Sequence, residues 1–231
     1  MGSREPGSPR EPGICRLNRI PIRDCGEELV DIRDHCRNME ITARVALLRR
    51  TVAGMLQNAQ DSLPAGCKLR VHTAFRTLET QQNGYSSYMA KLREQHPEWP
   101  MSTLRRESNR FWHPPDQKAP PGHCTGGAVD VGLLDEDGKE MDLREAIRDG
   151  LNTNPTYSRW VTEQARENRR ILIKAMSDAD FSNCADEWWH WSYGDSGWAA
   201  RIGGDHAIYG MLTPAADVLA AATRPDDPPK E

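Results

Sequence analysis

Several things are missing from this 231-residue chain, and each absence removes a class of protein. No apolar run approaches the roughly 18 residues of a membrane helix, so no membrane partner is expected. The opening stretch from Met1 to Gly13 has no apolar signal core, and a cytoplasmic address follows by default. There is no excess of positive charge: the formal net charge is −4, which gives no basic field for phosphates and argues against nucleic acid. None of the six cysteines (15, 25, 36, 67, 124 and 184) forms a C-x-x-C pair, so a four-sulfur metal site is not expected. With no signal peptide, free thiols are the expectation. Cys124 reads as packing.

What is present, 37% hydrophobic and 28% charged residues, suits one soluble domain with a single core. Residues 1–14 repeat Arg-Glu-Pro-Gly and read as a disordered tail, residues 15–212 as the domain, and 213–231 as a second tail. Ile41, Val45, Leu48, Val52, Met55 and Leu56 recur at helical spacing, and Pro64-Ala65-Gly66 ends that helix. Leu69, Val71, Thr73 and Phe75 alternate as a half-buried strand that delivers Arg76. Polar helices follow over about 78–95 and 102–111, then a Pro-rich loop over 113–122. Residues 128–134 read as a strand turned at 135–138. Asp142 with Glu145 suggests a capping box for a short helix, Ser158 the start of a longer helix to about Met176, and 187–193 an aromatic strand. Helices on a small, mainly antiparallel sheet make an α+β domain.

Two stretches carry chemistry: His123-Cys124-Thr125-Gly126-Gly127-Ala128-Val129-Asp130, and Glu187-Trp188-Trp189-His190. Together they offer two imidazoles and a carboxylate, a set that holds zinc with one position open. Gly126-Gly127 permit the turn that brings His123 back toward Asp130. Asp130 sits in an apolar strand, where an unpaired carboxylate is costly and a cation removes the cost. The tryptophans around His190 supply a dry wall. Glu187 is the further carboxylate, placed to take a proton from water. The plain alternative is a satisfied core histidine at 190 and a surface charge at 187; His113 is the only other histidine in company worth following.

These residues resemble the zinc D-alanyl-D-alanine dipeptidases of the VanX type, relatives of the D,D-carboxypeptidases. The pattern H-x-x-G-x-A-x-D is met by His123, Gly126, Ala128 and Asp130, and E-x-x-H by Glu187 and His190. Ile20 through Asp31 resembles the family's opening, Phe75-Arg76 with Gln81 its arginine motif, and Glu167 to Met176 its last long helix. The resemblance implies a Hedgehog/D,D-peptidase-like α+β fold and a small dipeptide or related small amide as substrate. It also implies zinc (Zn2+) on His123, Asp130 and His190, Glu187 as general base and then proton donor, and Arg76 facing the scissile carbonyl oxygen. Taken alone, an arginine at a strand end would more often pair with a surface acid.

The chain departs from that pattern around substrate recognition. Thr73, Thr77 and Pro121 stand where the family has an acid, a proline and a serine. Its G-[ST]-x-F-D segment, whose aspartate grips the dipeptide ammonium group, is replaced by Met141 to Asp149. Asp142, Asp149 and Trp189 are the candidate substrate contacts. Two other functions stay open: a zinc enzyme of this fold repurposed for another small amide or biosynthetic intermediate, and a silent zinc-binding or partner-binding domain, against which Glu187 argues.

Overall fold

The sheet forms around one strand whose every residue is buried, Ala128–Leu134. In the computed structural model, which describes residues 3–109 and 111–224, the strands are β1 (Leu29–Asp31), β2 (Glu40–Ile41), β3 (Leu47–Arg49), β4 (Lys68–Thr73), β5 (Ala128–Leu134), β6 (Ser182–Asn183) and β7 (His190–Ser192). The helices are α1 (Ile14–Leu17), α2 (Ile32–His35), α3 (Arg50–Asp61), α4 (Leu78–Gln95), α5 (Met101–Ser108), α6 (Glu163–Asp178), α7 (Ser196–Ile202) and α8 (Ala216–Ala222). Five strands make one sheet in the order β2-β4-β5-β7-β6, antiparallel except for the β2–β4 pair. β1 and β3 form a separate antiparallel pair. This is a single mixed α+β domain. No helix among the described residues is long and apolar enough to cross a membrane.

Side chains alternate across a strand, so β5 has two faces with different duties. Val129, Val131 and Leu133 join Leu69 and Val71 of β4 in the core. Against that face pack Val52 and Leu56 of α3 and Leu172 and Met176 of α6. Asp130, of opposite parity, therefore points to the other side. Between Val71, paired with Val131, and Thr73, paired with Asp130, β4 carries one extra residue, a bulge beside the functional face.

The sequence expectations held for the strands at 69 and 128 and for the helix at 78–95. Four others need correction. The helix begun at Ile41 starts only at Arg50, because Leu47–Arg49 pair with β1 as a strand. No helix follows Asp142: its carboxylate accepts from the N–H groups of Arg144 and Glu145 at 2.8 and 2.9 Å, closing a turn instead. Ser158 likewise serves a local turn, accepting from Trp160 N, and α6 begins after Thr162, whose hydroxyl caps Ala165 N. The strand expected from Glu187 is confined to His190–Ser192. Of the two expected tails, the first (residues 1–14) lies against the domain from Ser3 onward and runs into α1, and in the second α8 docks Ala222 against Leu47 and Phe75. Residues 1, 2 and 225–231 lie outside the described residues. All six cysteines are free thiols.

Arg49 is fully buried and ties the sheet to the loops around the site. Its Nε donates to Thr125 O at 2.9 Å, its backbone N–H donates to Gly126 O at 2.9 Å, and its Nη2 meets Asp24 at 2.8 Å. Partial burial pushes the Asp24 carboxyl up, but N–H groups of Gly26 and Gly210 and the Arg49 guanidinium outweigh it and hold it below its ordinary 3.8. A depressed carboxylate stabilises the fold above its unfolded value, and that contribution is lost as pH falls through the folded value. Asp24→Asn leaves a buried guanidinium without its acid, although Asp24 itself is one-third exposed. The expected loss is therefore about 1–3 kcal/mol, below that of a fully buried pair. Urea unfolding from pH 7 to 3 tests it: the gap between wild type and variant narrows as pH falls below the ordinary 3.8.

Candidate metal centre and catalytic cleft

Asp130 and His190 are directly opposite each other on β5 and β7. Antiparallel partners project to the same face with Cβ atoms about 5 Å apart, so the pairing alone brings a carboxylate and an imidazole together. His190 Nδ1 lies 3.0 Å from Asp130 Oδ1. His123 arrives from the other side, in the 3-10 turn Gly122–Thr125 that precedes β5.

That turn closes on two glycines. Gly126 has φ +72°, and a Cβ there would stand 2.5 Å from Leu29 Cδ2. A Cβ on Gly127 would stand 2.5 Å from Tyr193 O. Asp195, which caps α7 through Trp198 N, packs against Gly122 and supports the turn from outside. His123 Nε2 then sits 3.2 Å from the same Asp130 Oδ1, and the two rings meet edge to face at 4.8 Å between centroids.

Ligand atoms of His123, Asp130 and His190 all lie within 4.8 Å of one another. His123 Nδ1 is 2.8 Å from Ala74 O at the end of β4. An outer contact of this kind fixes the ring tautomer and aims the other nitrogen inward. The charges suit a cation. Burial pushes Asp130 up, but the two imidazoles overcome it and hold the carboxyl far below the usual range. Burial pulls His123 down, against the pull of Asp130, toward the neutral form that binds metal.

These residues line a cavity of about 460 Å³, within the usual size of a small-ligand pocket. Glu187 and Arg76 line it too. Burial raises the Glu187 carboxyl to about 7, with His190 pulling it down and Asp130 and Glu11 adding to the rise. Arg76 leaves the end of β4 with its N–H on His123 O at 3.1 Å. Its guanidinium donates to Gln81 Oε1 at 2.8 Å and lies 4.9 Å over the Trp112 ring. Gln81 is held in turn by donating to His113 O at 2.9 Å. The surface pairing open to a strand-end arginine is thus replaced by an amide and an indole inside the cleft.

The other candidates fall outside this cluster. Trp189 borders both this cavity and a second, more open one of about 1090 Å³. Asp142 borders only the second, with its carboxylate used by its own turn. Asp149 is exposed and lines neither. His113 does line the catalytic cavity, its Nε2 2.8 Å from Ala119 O. Sequence reasoning missed Trp112, Glu11 and Arg201, all lining residues. Trp112, in the loop before the proline pairs, had an aromatic signal; the other two had none.

Trp112 packs on α4 where Gly84 leaves room: a Cβ there would lie 2.1 Å from the indole Cη2. Gly84→Ala displaces the ring from beneath Arg76. Helix propensity meanwhile favours alanine by ~1 kcal/mol. A fall in kcat/KM of up to about tenfold is expected, the scale of one cation–π contact, with bound metal unchanged. Steady-state kinetics beside elemental analysis measures both.

An α+β domain with two histidines and an aspartate converging in a cleft, and a glutamate and an arginine on its walls, is built as a metallopeptidase. Residues 36–207 match the Peptidase_M15 family, described as D-Ala-D-Ala dipeptidase, and the chain belongs to that family. A curated relative, the D-alanyl-D-alanine dipeptidase of Synechocystis sp., is 26% identical over 236 residues, spanning 84% of this chain and 95% of that protein. The D-alanyl-D-alanine dipeptidase of Escherichia coli is 31% identical over 68 residues, 29% of this chain and 35% of that one. Among solved structures, VanYB in complex with D-alanine-D-alanine aligns at 18% identity and a TM-score of 0.45, over 77% of this chain and 84% of its own. The vancomycin-resistance D,D-dipeptidase VanXYg, in complex with a D-Ala-D-Ala phosphinate analogue, aligns at 18% and 0.40, over 80% and 64%. The low identities mark a divergent member.

Proposed function

We propose that the protein is a zinc-dependent dipeptidase whose default substrate is D-alanyl-D-alanine, with Glu187 as general base. The observation that carries this reading is that three side chains able to ligate a metal and a further carboxylate line one small cavity. The donor set fits the metal: two imidazole nitrogens and one carboxylate oxygen suit zinc. His123 offers Nε2 because Ala74 O engages its Nδ1, and His190 offers Nδ1. When bound, zinc supplies a Lewis acid that polarises a peptide carbonyl and makes water acidic enough to ionise near neutral pH.

The chain's own groups supply the rest. Glu187 accepts a proton on a carboxylate oxygen and returns it to the departing amine. Burial favours both steps, since a carboxyl raised toward neutrality holds and releases a proton within the working range. Arg76, steadied by Gln81 and Trp112, presents a permanent cation where negative charge develops on the scissile carbonyl oxygen. Such a fixed charge lowers the barrier by about 3 kcal/mol. Trp189 offers an apolar wall to the substrate.

Purified protein loaded with zinc is expected to release D-alanine from D-alanyl-D-alanine, to stop on chelation and to resume when zinc is returned. No release under those conditions rejects the dipeptidase reading. A second reading, the repurposed enzyme, draws support from the amino-end contacts: Asp149 lies outside the cleft and Asp142 is spent on its own turn. Turnover of amides lacking a free ammonium group, in preference to D-alanyl-D-alanine, would favour it.

A further inference from the structure

Residues 3–17 lie against the domain and, from Glu11 onward, line the candidate catalytic cleft, although their composition is that of a tail. Glu11, Pro12, Ile14 and Leu17 border the same cavity as His123 and Glu187. The segment is tied down along its length. Ser3 O accepts from Arg159 N at 3.0 Å, Glu5 N donates to Tyr157 O at 2.9 Å, and Arg16 Nη2 donates to Ala200 O at 2.9 Å.

Two of its ties fall immediately before Glu187. Arg4 pairs with Asp186, and the Glu11 carboxylate accepts from Ala185 N at 2.9 Å. Glu11 also accepts from one edge of the Arg201 guanidinium, from Nε at 3.1 Å and from Nη2 at 3.0 Å. The side chains of this pair are only 13% and 16% exposed. Arg201 completes its fork by donating to the hydroxyls of Ser182 and Ser192, on β6 and on the strand that carries His190. Arg201 is largely buried, and losing the carboxylate it pairs with leaves its charge poorly compensated, which holds the segment in place. The family match begins at residue 36, so none of this segment belongs to the matched region.

We propose that residues 3–17 form a strap that closes one side of the cleft and restricts it to short peptides, with Glu11 as its latch on Arg201. The inference rests on the dipeptidase reading above. The strap walls the cavity at its Glu187 side, so a substrate extended by further residues meets backbone where an open groove would let it pass.

The test compares the full chain, the chain without residues 1–13, and Glu11→Gln. Each is assayed on D-alanyl-D-alanine and on a pentapeptide ending in D-alanyl-D-alanine. Truncation is expected to raise the pentapeptide-to-dipeptide ratio of kcat/KM by about tenfold or more, with Glu11→Gln between the two. In parallel, hydrogen exchange at the amides of residues 3–17 is expected to speed up by about tenfold or more in Glu11→Gln, at unchanged metal content. An unchanged ratio overturns the proposal, as does wild-type strap exchange as fast as in the variant. Absence of turnover by every form counts against the dipeptidase reading alone, and the exchange result then upholds or overturns the latch by itself.

Discussion

Glu187→Gln is expected to lower kcat on D-alanyl-D-alanine by about 10³-fold, within the range assigned to a positioned general base, while the purified variant keeps its full complement of metal. Glutamine preserves the size of the side chain and a hydrogen-bonding oxygen, but it cannot accept the proton. Glu187 is not among the clustered ligands, so its loss leaves the donor set whole. The pH profile sharpens the test. Burial lifts the carboxyl to about 7 in the metal-free protein, and a divalent cation nearby favours the charged form. The acid limb of kcat/KM therefore falls below pH 7 in the loaded enzyme: activity rises as the carboxyl deprotonates. That limb vanishes in the variant. A variant with wild-type kcat removes Glu187 from the mechanism, and a variant without metal recasts it as a structural support.

Asp130→Asn is the second large effect. The substitution removes the only anionic donor of the cluster and leaves two buried imidazoles facing an amide. If the three ligands share a total binding free energy of ~12 kcal/mol, the loss of one weakens zinc binding by about 10³-fold. Titration against a chromophoric chelator measures it. Thermal unfolding gives an independent reading. Added zinc raises the wild-type Tm by mass action and raises that of the variant by less at every zinc concentration. Equal zinc affinity in the two proteins would place the ion elsewhere.

The candidate site was legible in the sequence because its parts sit in strong local patterns. A glycine pair marks the turn before Asp130, and an apolar strand makes the lone carboxylate conspicuous. Pairing of β5 with β7 then joins two motifs 60 residues apart. The region from Ile41 to Leu56 was less legible for a physical reason. Apolar residues three or four apart fit one helix face, but they also fit a short strand followed by a helix when both bury into one core, as Leu48 and Leu56 do. At Asp142 the local chemistry was read correctly and the outcome was not, since the same carboxylate that caps a helix also closes a free turn. The segment over residues 3–14 reads as a disordered tail yet lies against the domain. It buries almost nothing apolar, and Glu11 finds its partner 190 residues away.

The direct opposition of Asp130 and His190 has a consequence for how the sheet assembles. Sliding β7 by one position against β5 would swap inner for outer along the whole strand: it would drive His190 toward the space now filled by Trp191 and leave Asp130 facing an indole. Only one alignment lets an ion bridge both strands. An ion held in the proposed centre would thus act as a proofreader of strand alignment, rewarding the correct pairing and giving nothing to its neighbours.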